Sequence, residues 1–96
     1  MDFKVTFARS ALRDLEEIVG FIAHDDPQTA QEVGDRLLNK ALSLHLFPER
    51  HARCPNRDDV RKMPVAPFVI YYRISKRKER VTILHFWHSA RQNPML

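Results

Sequence analysis

The sequence predicts an α+β domain: a strand, an antiparallel helical hairpin, then a three-stranded antiparallel meander, with the helices on one face of a small, mainly antiparallel sheet. Alternation of Phe3, Val5 and Phe7 with polar neighbours marks the first strand, and two apolar stripes at spacings of three and four residues mark the helices. The alternation returns in the last third of the chain. A helical hairpin and a meander each have one apolar side, so they should cover each other. The far face of the sheet is then left open to a partner. At 96 residues the chain, 1–96, is read as a single domain.

The elements follow in order. Ser10 stands ahead of Ala11, Leu12, Leu15, Val19 and Ile22, which gather on one helix face. It is the expected N-cap, with Asp14, Glu16 and Glu17 early in the helix, where the dipole favours negative charge. Pro27 ends that helix and suits the first turn of the next, with Asp26 as its cap. Ala30, Val33, Leu37, Ala41 and Leu44, widened by Leu38 and Leu42, form the second stripe, which closes at Phe47-Pro48. Glu49 to Asp59 is polar and without period, and is expected to be a surface loop. Val60 to Val65, Phe68 to Ile74 and Val81 to Trp87 supply the meander, with the charged turn SKRKER before its last strand.

Lys and Arg outnumber Asp and Glu by 16 to 12, a net charge of +4 that favours an anionic partner. Cys54 is the single cysteine, so no internal disulfide can form and a reducing compartment is implied. No apolar run is long enough for a signal peptide or a membrane span, and the expected location is cytoplasmic. His85 and His88, three apart on a regular strand, project from opposite faces and cannot share a metal. His51 and Cys54 lack a second ligand pair, so neither metal nor cofactor is expected.

The ordered set FARSALRDLEEIVGFIA, ALSLHLFPER, VRKMPVAPFVIYYRI and VTILHFWHSARQNP resembles the RelE/ParE superfamily of toxins from type II toxin-antitoxin modules, over nearly the whole chain. The resemblance implies alternative activities. ParE-like members poison DNA gyrase, whereas RelE-like members are endoribonucleases that cut mRNA on the ribosome. The ending WHSAR resembles the ParE-like and plasmid-stabilisation branch, and the tyrosine that RelE-like members often carry near the chain end is missing here, since the tyrosines are Tyr71 and Tyr72. The expectation is therefore a ParE-like gyrase inhibitor, neutralised by a cognate antitoxin in a toxin-antitoxin hetero-oligomer. A non-toxic interaction module on the same scaffold is a further alternative.

RNA cleavage through a 2′-hydroxyl needs a proton acceptor, a proton donor and cations facing the phosphorus. Arg61, Arg73, His85 and Arg91 are the candidates for that chemistry. For binding a target or an antitoxin the candidates are Arg61, Arg73, His85, Trp87, His88 and Arg91. If Leu84 and Phe86 face the helices, His85 points to the opposite sheet face beside Arg73.

Overall fold

A computed structural model describes residues 2–94. In chain order it contains β1 (Lys4–Phe7), α1 (Arg9–Ala23), α2 (Pro27–Leu42), single 3₁₀ turns at Ser43–His45 and Pro48–Arg50, β2 (Arg53–Cys54), β3 (Arg57–Val65), β4 (Phe68–Ser75) and β5 (Arg80–His88). The strands make one sheet in the order β1-β5-β4-β3-β2. From β2 to β5 neighbouring strands run antiparallel. By contrast β1 lies parallel to β5, with Val5 opposite Val81 and Phe7 opposite Ile83. Parallel neighbours need a long crossover between them. Here the crossover is most of the chain, so the N-terminal strand is stitched to the C-terminal one.

The expected α+β architecture is what the chain forms. Leu37, Ala41 and Leu44 from the helical side meet Ile70, Tyr72, Val81, Ile83 and Phe86 from the sheet in one core. Full burial of each large apolar side chain contributes about 1.5–3 kcal/mol, so this layer dominates stability. Gly34 is also buried in α2, and a Cβ added there would lie 3.1 Å from Val19 Cγ2 of α1. The missing side chain leaves room for the Val19 side chain between the two helices.

Several local expectations are corrected. The N-cap of α1 is Ala8, with no side-chain cap, and Ser10 lies inside the helix. The helix starts early because Ala8 N–H already donates to Ile83 O (2.8 Å), directly at the end of β1. Asp14, Glu16 and Glu17 consequently fall beyond the first turn, which holds no acidic residue. Asp26 does cap α2, accepting from Thr29 N–H at 3.1 Å and from the Thr29 hydroxyl at 2.6 Å. Those bonds, side chain first, hold the Asp26 carboxyl below the usual range. Leu12 (50%) and Leu42 (47%) are exposed, so each apolar stripe is narrower than the sequence suggests. The segment from Glu49 to Asp59 is not all loop: it holds most of a 3₁₀ turn, all of β2 and the start of β3, because Arg53 pairs with Arg61 across a tight reversal.

Tyr72 ties the sheet to the segment after α2. It is fully buried, and its hydroxyl donates to Pro48 O. Burial pushes its phenol up to about 12. Tyr72→Phe should cost about 1 kcal/mol in chemical denaturation at pH 7, the usual worth of a buried hydrogen bond. The phenol also sets an alkaline limit. Below pH 10, the ordinary value, both folded and unfolded states keep the proton and the group adds no pH dependence. Between there and about 12 only the unfolded chain ionises, so stability falls by up to about 1.4 kcal/mol per pH unit. In Tyr72→Phe that part of the alkaline loss should vanish.

Candidate functional site

The site is built around the outer half of β5. This strand runs for nine residues, but β1, its neighbour on one edge, runs for only four. A strand edge left in apolar surroundings would strand its N–H and C=O groups. Side chains from α1 take the place of the absent backbone. The Ser10 hydroxyl donates to Leu84 O at 2.7 Å. Phe86 N–H donates to Asp14 Oδ2 at 3.2 Å, and the same oxygen accepts from His85 Nδ1 at 2.7 Å. Asp14 and His85 are both largely shielded, with side chains 13% and 18% exposed. An imidazole that donates from Nδ1 presents Nε2 as its acceptor when neutral.

A bulge re-aims this half of the strand. Tyr71 pairs with His85 but Tyr72 pairs with Ile83, leaving Leu84 without a partner on β4. One extra residue reverses which side chains face the core. Val81, Ile83 and Phe86 are therefore all in the helix-side core. Leu84, expected there, packs instead with Trp87, Val69 and Tyr71 in a second cluster on the other face. His85 lies edge-on to Trp87, with ring centres 5.3 Å apart, and is anchored sideways by Asp14.

Beyond Phe86 the substitution by α1 stops, and a groove opens. Its walls are Ile18, Phe21, Ile22 and Val33 of the helices, Pro67 of the β3–β4 turn, and Phe68 and Phe86 of the sheet, enclosing about 600 Å³. Asp14, Glu17, Arg36, His88 and Arg91 form its polar rim. Phe21 is 83% exposed, an unusual position for a large aromatic side chain. Asp14, Glu17 and Phe21 lie on one stripe of α1 with Ser10, at spacings of three and four. That stripe was the signal in the sequence for these residues. It reads as the polar margin of an amphipathic helix until the edge of β5 is seen beside it.

Residues 88–92 are folded onto the same corner. His88 Nδ1 accepts from Ala90 N–H at 3.1 Å, and its ring meets Phe68 edge-on at 5.5 Å. The Arg91 guanidinium stacks on Trp87, 3.9 Å from the ring centre, while the indole N–H donates to Gln92 O at 2.6 Å. His88 and Arg91 are thus brought together at the groove, with Trp87 directly behind Arg91. The other candidates lie elsewhere. Arg61 is on the helix side of the sheet, donating to Glu49 O (3.2 Å) and His51 O (2.7 Å). Arg73 alternates with buried Tyr72 and is exposed on the opposite face, across from Thr82. Its side chain has no ion pair among the described residues. Among the described residues no helix is long and apolar enough to cross a membrane.

A parallel β1/β5 pair flanked by a helical hairpin and an antiparallel meander is a fold this chain shares with several solved structures. The chain superposes on a structure of the chromosomal ParDE toxin-antitoxin system from P. aeruginosa with a TM-score of 0.75 and 19% identity, covering 90% of this chain and 95% of that one. The toxin-antitoxin complex RelBE2 from Mycobacterium tuberculosis gives 0.68 and 22%, covering 95% of each chain. The isolated E. coli RelE toxin gives 0.67 and 15%, covering 95% of this chain and 88% of that one. These likenesses define the fold. Sequence narrows it further. Residues 5–93 match the family model described as the ParE toxin of the type II toxin-antitoxin system parDE. A putative toxin, Y4kP, from Sinorhizobium fredii is 32% identical over 84 residues, 85% of this chain and 86% of that protein. The chain belongs to the ParE toxin family.

The sequence contains one tryptophan, so the terminal corner reports on itself. Arg91→Ala should alter the fluorescence intensity of Trp87 and cost about 0.5–1 kcal/mol in denaturation, the worth of an exposed cation–π contact. Lys78→Ala, on the exposed turn before β5, should leave both unchanged.

Proposed function

We propose that the free chain inhibits DNA gyrase and is silenced when an amphipathic segment of its cognate antitoxin lies in the groove between the helical hairpin and the end of β5. The observation that carries the choice of gyrase over RNA is the dispersal of the candidate cleavage residues. Arg61 is held on one side of the sheet by loop carbonyls, and Arg73 stands on the other. His85 is anchored by Asp14, and Arg91 is stacked on Trp87. General acid–base chemistry needs its groups within hydrogen-bond reach of one substrate position. Membership of the ParE family supports the same choice, while the net charge of +4 suits an anionic target of either kind. The target surface in this reading is the terminal corner of Trp87, His88 and Arg91, with Arg73 on the adjoining open face.

The groove supports the antitoxin half of the reading. Exposed Phe21 with Ile18, Val33 and Phe68 offers a receptacle for apolar anchors at helical spacing. The rim is acidic at Asp14 and Glu17 and basic at Arg36 and Arg91. An incoming helix with basic residues on one flank and acidic residues on the other is favoured. Such a partner covers His88 and Arg91, so neutralisation and target binding compete for the same residues.

Purified chain should block supercoiling by gyrase in a plasmid assay and leave mRNA on translating ribosomes intact. Cleaved message together with unaffected supercoiling would reverse the assignment. Phe21→Asp should weaken antitoxin binding by roughly 30-fold or more, the loss of about 2 kcal/mol expected for an aromatic anchor, with toxicity retained. Arg91→Ala should reduce both antitoxin binding and gyrase inhibition.

A further inference from the structure

We propose that a second cavity, on the sheet face away from the helices, binds a phosphate group. It lies between the β2–β3 turn and the C-terminal tail and encloses about 350 Å³, room for a mononucleotide. Lys62 and Arg57 line it, together with Asn56, Tyr71 and Asn93, and among the described residues no carboxylate does. Lys62 has no acidic partner among the described residues. Arg57 holds Asp59 in a two-pronged pair, Nε to Oδ1 at 2.9 Å and Nη2 to Oδ2 at 2.9 Å. This fixes the guanidinium plane and leaves its Nη1 donors free. Asp59 itself lines a different cavity, but at 2.9 Å it offsets most of the Arg57 charge, which leaves Lys62 as the uncompensated cation here.

The neutral groups point the same way. The Tyr71 hydroxyl donates its one proton over a long bond, 3.4 Å to Asn93 Oδ1, and burial raises its phenol, so it brings no negative charge to repel an anion. With Asn93 Oδ1 engaged, its amide nitrogen is left to donate. Burial likewise raises the Cys54 thiol, so the wall carries no thiolate to repel an anion. The cavity therefore collects the uncompensated Lys62, the free Nη1 donors of Arg57 and the amide donors of Asn56 and Asn93, and among the described residues no carboxylate lines it. A phosphate dianion, with its several strong acceptor oxygens, satisfies that set. Buried Pro94 and the Tyr71 ring add apolar wall for the body of a phosphate monoester.

The test is calorimetric titration of the purified full chain with adenosine 5′-monophosphate, inorganic phosphate and adenosine. Saturable binding of both phosphate ligands, with Kd of about 1 mM or below, and at least about tenfold weaker binding of adenosine are expected. Tighter binding of the monophosphate than of the free ion identifies a monoester site, and equal binding identifies a site for the ion itself; both support phosphate recognition. Lys62→Ala should weaken binding about tenfold, as loss of a charge-assisted contact does, with an unchanged melting temperature. Lys78→Ala should have no effect. Absence of saturation by either phosphate ligand up to about 10 mM, or equal losses in the two lysine variants, would overturn the proposal.

Discussion

The backbone of β5 needs partners along both edges, and the chain supplies a full strand on only one. On the β4 side the ladder is continuous apart from the bulge. On the other side β1 stops at Phe7, because the chain must turn there into α1. The remaining edge is completed by Ser10 and Asp14, four residues apart on one helix face, which meet Leu84 O and Phe86 N–H. These bonds fix how α1 lies along β5, and therefore how far the hairpin stands from the end of the strand. Ser89 N–H bonds to Pro67 O, and with strand alternation this turns His88 N–H away from β4, toward the edge that α1 no longer reaches. The groove begins where the substitution ends.

Much of the fold was legible in the sequence because its signals are periodic and repeated. The stripe from Ala30 to Leu44 and the alternation through Phe68, Ile70 and Tyr72 each report the same face several times, so single errors do not move the element. Features set by one residue were not legible. The bulge at Leu84 inverts the parity that would have carried Leu84 inward, since a strand read from alternation alone has no means of announcing an unpaired residue. Ser10 has the chemistry of an N-cap, yet its hydroxyl is taken by a strand 74 residues away in sequence and adjacent only in the fold. Arg61 looks like a free surface cation next to Lys62, and its partners are carbonyl oxygens, which leave no trace in side-chain identity.

The candidate site follows the same division. His88, Arg91 and Trp87 were visible as an ending of unusual composition, and the structure places them together at one corner. Asp14, Glu17 and Phe21 were hidden, because polar residues and one aromatic at the margin of an amphipathic helix are ordinary until a neighbouring edge gives them work. The tail that follows connects two different surfaces: Arg91 borders the apolar groove, and Asn93 borders the cationic cavity on the other side. Between them Trp87 holds both, through the guanidinium on its ring and Gln92 O on its indole nitrogen.

Amide hydrogen exchange at Phe86 measures most directly whether α1 stands in for the missing strand. With Asp14 present, the Phe86 N–H should exchange as slowly as the amides of β5 that face β4. In Asp14→Ala it should exchange about a hundredfold faster, as expected when a charge-assisted bond of close to 3 kcal/mol is lost, while the amides facing β4 keep their protection. Equal protection of Phe86 in the two proteins would contradict the role given to Asp14, and with it the reason the groove opens where it does.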